Sequence, residues 1–128
     1  MSAGRTIFTC EEHSVDDILP IRVIVIGAGP WGLISAIRLR QRVPNLSLQV
    51  YDKNTDVGGT WHENRYPGVG CDIPVMSYQL TFEPNREWTS FYASGAEIGE
   101  YWKHVARKYH LYQHIKLSHR VCGVHWDS

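Results

Sequence analysis

The sequence predicts an α/β fold, an incomplete doubly wound parallel sheet, and three observations predict it. The run IRVIVI at 21–26 is β-branched and nearly uniformly apolar, as a strand buried on both faces of a parallel sheet reads. The turn GAGPWG at 27–32 follows at once and opens a helical pattern. A second strand-like run then ends in an acid, Asp52.

Residues 1–20 are mixed polar and end at Pro20, which makes them a leader; the domain is expected over 21–128. Leu33, Ile34 and Ile37 recur at helical spacing while Arg38, Arg40 and Arg42 face away. Pro44 ends that helix by pushing Val43 out of the helical region. A strand at 48–52 completes a βαβ unit of about thirty residues. From 53 to 93 the chain is loop-like and rich in Gly, Pro, Asn and aromatic residues, a length that is usually functional. Ser94 and Glu97 form a capping-box pattern, after which Ile98, Trp102, Val105 and Tyr109 mark one face of a helix. Residues 115–117 read as a third strand and 121–126 as a fourth that turns away. A doubly wound sheet runs 3-2-1-4-5, and these segments supply only 3, 2 and 1. The strand at 21–26 is then an edge with open hydrogen-bonding groups, a site for self-association or for a partner segment.

Composition narrows the function. Of 128 residues, 43% are hydrophobic and 12% aromatic, enough apolar surface to exclude disorder. With 13 basic against 13 acidic residues and no Lys/Arg cluster, there is no footprint for a nucleic acid. No stretch nears the roughly 18 apolar residues of a membrane span. Glu11, Glu12, Asp16 and Asp17 stand where a secretory signal needs an apolar core. Cys10, Cys71 and Cys122 are an odd set without a CxxC pair, which argues against a disulfide framework and a zinc site, so a reducing, cytoplasmic home is expected. His110, His114 and His119 straddle a helix end and a strand, so they read as solvated or packing histidines and no metal site is expected.

The chemistry lies in the glycines. Gly27 allows the tight turn, Gly29 lets the backbone approach a pyrophosphate, and Gly32 lets helix and strand pack closely. The helix N-terminus adds amides and a positive dipole end. Asp52, twenty residues after Gly32, accepts hydrogen bonds from a ribose. A carboxylate there repels a 2′-phosphate, so the site suits the ADP half of FAD or NAD rather than NADP.

Together with GAGPWGL and the strand end VYDK, the segment GGTWHENRYPGVGCD at 58–72 resembles the N-terminal FAD-binding part of flavin-dependent Baeyer–Villiger monooxygenases. The stretch WTSFYASGAEIGEYW at 88–102 is similar to the family's aromatic segment and its following helix. The resemblance implies a Rossmann-type FAD-binding domain in which Gly27, Gly29 and Gly32 hold the pyrophosphate and Asp52 the adenosine ribose. Gly59, Thr60, Trp61, His62 and Glu63 would run past the flavin-side half, with Asp72 and Tyr78 near the isoalloxazine. Gly70, Cys71 and Asp72 match a stretch between flavin and nicotinamide, which NADPH also meets. On the residues alone, Trp61 and Tyr78 also read as core aromatics, Asp72 as a turn residue and Cys71 as an inert buried thiol.

In enzymes of this family NADPH reduces the flavin, and oxygen is inserted next to the carbonyl of a ketone. The resemblance thus implies an FAD- and NADPH-dependent monooxygenase acting on a small-molecule ketone, with fungal secondary metabolism as the setting. The chain is expected to be a truncated N-terminal portion that lacks the NADPH domain and the catalytic residues, which leaves the catalytic set unknown. A non-catalytic FAD-binding remnant is the other class, and an N- or S-oxygenating flavoprotein a third.

Overall fold

The β-branched run pairs as expected. In the computed structural model, which describes residue 14 and residues 17–126, β1 (Ile21–Ile26) lies parallel to β2 (Leu46–Tyr51), with Val23 opposite Leu48 and Val25 opposite Val50. The connection is α1 (Pro30–Arg42), whose first residue is a proline that needs no N–H there. It closes with Val43 extended ahead of Pro44, as the proline requires. β3 (Ile115–Lys116) adds to the far side of β2, so the sheet is parallel and ordered β1-β2-β3.

The loop at 53–93 holds a short helix α2 (Thr60–Glu63) and a turn of 3-10 helix, Val75–Ser77. The capped helix is α3 (Gly95–Lys108). Ser94 accepts the Glu97 N–H at 3.2 Å, but the Glu97 carboxylate does not return to close the box. It takes the Thr89 N–H at 2.8 Å and the Thr89 hydroxyl at 2.9 Å, pinning the aromatic loop to the helix start. Leu33, Ile37, Ile98, Val105 and Leu111 are buried in one core, each contributing about 1.5–3 kcal/mol.

Two expectations need correction. β1 is not buried on both faces: Val25 lies beneath Gly32 of α1, whereas Ile24 and Ile26 on the opposite face are 65% and 61% exposed. Its uniform apolarity hid the alternation that only one covered face produces. The fourth strand is absent. Residues 121–126 form no strand and lie exposed, Trp126 at 93%; Gly123 interrupts the apolar run. Most of the leader at 1–20 lies outside the described residues; within it, the Ile18 carbonyl accepts the Asn45 side-chain amide at 2.9 Å.

A polar knot ties the second glycine turn to α3. Asp56 accepts the Tyr112 hydroxyl and the Val57 N–H, both at 2.8 Å, and Lys103 stands 3.4 Å away. Burial pushes the Asp56 carboxyl up, but Tyr112, Val57 and Lys103 outweigh it and hold the carboxyl below its usual value. Burial and the Asp56 hydrogen bond together push Tyr112 up to about 12. The Tyr112 contribution is therefore fully present below its ordinary value of 10.0 and is lost as pH rises through about 12. The Asp56 contribution is present above 3.8 and is lost in acid. Tyr112→Phe should lower stability by roughly 1 kcal/mol at pH 7 and weaken the further loss between pH 10 and 12, checked by urea unfolding at both ends of that window.

Candidate nucleotide-binding site

The glycine turn leaves β1 at its carboxyl end and is held by three backbone donors. The Gly27 N–H donates to the Tyr51 carbonyl at 2.7 Å, the Ala28 N–H to Asp52 Oδ2 at 2.5 Å, and the Gly58 N–H to the Ala28 carbonyl at 3.0 Å. Gly27 adopts φ of 100°, open to glycine and strained for other residues. Past the turn, Gly29 caps α1 without a side chain, and the amides of Trp31 and Gly32 make no hydrogen bond among the described residues. These are free donors at a helix N-terminus, the arrangement that receives an anion.

The second glycine turn meets the first face to face. A Cβ on Gly59 would stand 2.9 Å from the Gly29 Cα, and one on Gly29 would stand 3.4 Å from the Gly59 Cα. Gly58 and Gly59 both have positive φ, 119° and 56°. The two motifs, separated by thirty residues in sequence, therefore close on each other backbone to backbone and form one glycine seam.

A cavity lies on either side of it. On the sheet side, about 310 Å³ is lined by Ile26, Gly27, Gly29, Tyr51, Asp52, Lys53, Asn54, Gly59, Glu63, His119, Arg120 and Val121. On the α1 side, about 580 Å³ is lined mostly by apolar groups, including Trp31, Ile34, Thr60, Trp61, Tyr78, Leu80 and Trp102. Trp61 and Tyr78 meet edge to face there, with ring centroids 5.3 Å apart.

The expected residues are thus partly gathered. Gly27, Gly29, Asp52, Gly59 and Glu63 share the first cavity; Thr60, Trp61 and Tyr78 share the second. Gly32 packs beneath them, its would-be Cβ 1.9 Å from the Gly27 carbonyl oxygen. His62 turns away toward Thr55 and Arg65, at 3.3 and 3.2 Å. Glu63 is held low by the Asn54 side chain at 2.8 Å and by Lys53 at 3.1 Å. Gly70, Cys71 and Asp72 sit at the other end of the loop: Gly70 bridges Ser94, the Cys71 N–H donates to the Ala93 carbonyl, Cys71 is buried and Asp72 is exposed.

Asp52 is only 5% exposed. Its two oxygens take the Ala28 N–H at 2.5 Å and the Asn54 N–H at 2.7 Å, so it braces the glycine turn while lining the cavity. Sequence reading missed Ile26, Tyr51, Lys53, Asn54, His119, Arg120 and Val121 as lining residues. The signal was topological: parallel strands end on one edge, so the residues just past each strand share one crevice.

The chain matches the model of the NAD(P)-binding Rossmann-like domain over residues 25–94, more than half its length. It is 46% identical over 110 residues to the FAD-binding monooxygenase tazF of Aspergillus terreus, covering 84% of this chain and 20% of that protein. It is 39% identical over 108 residues to a Baeyer-Villiger monooxygenase of Streptomyces coelicolor, covering 84% of this chain and 21% of that one. Among solved structures, a cyclohexanone monooxygenase mutant from Rhodococcus sp. Phi1 bound to NADP+ superposes with a TM-score of 0.70 at 31% identity, covering 77% of this chain and 20% of that chain. An oxidized steroid monooxygenase bound to NADP gives 0.68 at 33% identity, covering 74% and 18%. The chain spans about a fifth of the length of the curated relatives it matches. No described helix is long and apolar enough to cross a membrane. The chain belongs to the NAD(P)-binding Rossmann-like domain family, and over its length it is similar to the N-terminal part of FAD-binding and Baeyer–Villiger monooxygenases.

Proposed function

We propose that residues 21–128 are the FAD-binding domain of an NADPH-using Baeyer–Villiger monooxygenase, which inserts oxygen next to the carbonyl of a ketone, in secondary-metabolite biosynthesis. One observation carries the reading: the side-chain-free seam where Gly29 meets Gly59, with a cavity on either side. A dinucleotide needs close backbone approach at its pyrophosphate and a separate chamber for each end, and these residues fit both needs. The cavity at Asp52 suits the adenosine half; the aromatic cavity at Trp61 and Tyr78 suits a flat ring system. Gly27, Gly29 and the first amides of α1 hold the pyrophosphate, and Gly32 keeps that helix start close to β1. Bound FAD would supply the redox chemistry, and these residues would bind and orient it. Gly70, Cys71 and Asp72, carried on the loop anchored at Ser94, are proposed to face the nicotinamide side.

Gly29→Ala tests the reading because it separates binding from folding. Gly29 has an ordinary φ of −72°, and the added methyl would meet the Gly59 Cα at 3.4 Å, so stability should change by less than about 1 kcal/mol. The methyl would nonetheless fill the seam between the two glycines and hold backbone and pyrophosphate apart, so FAD and ADP affinity should fall at least about tenfold. Titrating the purified chain with both ligands decides; undiminished FAD binding by the variant contradicts the cofactor assignment.

The exposed side of β1 is proposed as a pairing surface for a second copy or a partner segment. Its outer edge has no partner strand among the described residues, and Ile24 and Ile26 are uncovered. Ile24→Lys should then shift the purified chain from associated species toward monomer on size exclusion; a wild-type chain that elutes only as monomer argues the other way.

A further inference from the structure

We propose that Arg120 covers the adenine of the bound nucleotide, stacking its guanidinium on the purine, and is the base-recognising residue of the site. This rests on the reading that the cavity at Asp52 holds the ADP half of a dinucleotide.

Three backbone bonds stitch the end of β3 to the end of β2. The Asp52 N–H donates to the Lys116 carbonyl at 3.0 Å, the Ser118 N–H to the Asn54 carbonyl at 2.7 Å, and the His119 N–H to the Asp52 carbonyl at 2.8 Å. They deliver Arg120 and Val121 to the cavity rim. Sheet order then places the functions. The anion-seeking amides stand past β1, the Asp52 carboxylate past β2 and Arg120 past β3. Neighbouring strands lie about 4.8 Å apart, so the row spans roughly 10 Å along the carboxyl edge, which suits pyrophosphate, ribose and base in that order.

The walls around Arg120 favour a ring. Ile26, Tyr51 and Val121 line the cavity with apolar surface, and His119 packs against Tyr51 with ring centroids 6.3 Å apart. The charge of Arg120 is also uncommitted. Lys53 is paired with Glu63 at 3.1 Å and Arg65 donates to the His62 carbonyl at 3.0 Å, whereas the Arg120 guanidinium makes no hydrogen bond or ion pair among the described residues. A planar guanidinium stacks on aromatic faces as an ammonium does not. The competing use is electrostatic: Arg120 also borders a polar basin of about 490 Å³ that holds Lys53 and Arg65, where a 2′-phosphate could sit.

Titration of the full 128-residue chain with ADP, 2′,5′-ADP and ribose 5-phosphate at two salt concentrations, followed by NMR, separates these uses. Arg120→Ala should lose about tenfold in ADP affinity and nothing in ribose 5-phosphate affinity, Arg120→Lys should stay weak, and the deficits should not depend on salt. Wild-type ADP affinity in Arg120→Ala overturns the proposal. So does full recovery in Arg120→Lys, or 2′,5′-ADP binding more tightly than ADP through Arg120, since either assigns the guanidinium to a phosphate. A wild-type chain that binds no ADP defeats the nucleotide reading itself, and this inference with it.

Discussion

Gly32→Ala should lower the thermal midpoint by roughly 10–15 °C and abolish nucleotide binding. The added Cβ would stand 1.9 Å from the Gly27 carbonyl oxygen and 2.9 Å from its carbon. Both are backbone atoms, and neither can swing aside as a side-chain tip would. Relief requires α1 to lift from β1, and the turn at Gly27, already at φ of 100°, is pinned by its N–H to Tyr51. Overpacking of this kind costs about 3 kcal/mol, a large part of the stability of a domain this size. Gly68→Ala is the control. Gly68, unlike Gly32, has positive φ, 82°, and nothing lies within 4 Å of its would-be Cβ, so backbone strain alone should cost about 1 kcal/mol. Thermal unfolding by circular dichroism and ADP titration check the pair; equal losses at the two positions would contradict the steric explanation.

The contrast between Gly32 and Gly59 shows what was legible in the sequence. Gly32 sits at a fixed offset from Gly27 in one local motif, and local spacing is enough to assign its packing role. Gly59 read as a residue running past a cofactor, yet it also closes against Gly29, a contact that local spacing does not encode. The same limit applies to Asp52 and Arg120. The acid was visible at a strand end, but its two N–H partners come from Ala28, twenty-four residues away, and from Asn54. Arg120 carries no motif, and only the order of three parallel strands brings it beside Asp52. At β1 the apolar run was legible as a strand, while its exposed face was not, because composition reports what a residue prefers and not whether a neighbour is there to cover it.

Asp52→Ala should cost about 3 kcal/mol in urea unfolding and remove ADP binding. Ala28 is fully buried, so its N–H would lose its acceptor in a place water does not reach, and the Asn54 N–H would lose its partner as well. Each stranded donor costs about 1–3 kcal/mol, toward the upper end where the acceptor was charged. The turn it braces is the one that aims Gly29 and the α1 amides, so affinity would fall even for a ligand without ribose. Asp52→Asn distinguishes bracing from simple ribose recognition. Its amide keeps the volume and one acceptor, but turns an NH2 toward the second N–H, so it should retain about half of the lost stability. If the carboxylate served only a bound ribose, the empty chain would be equally stable with Asp or Asn at position 52. A measurable stability loss in the ligand-free Asn variant therefore assigns Asp52 to the architecture of the glycine turn before any nucleotide arrives.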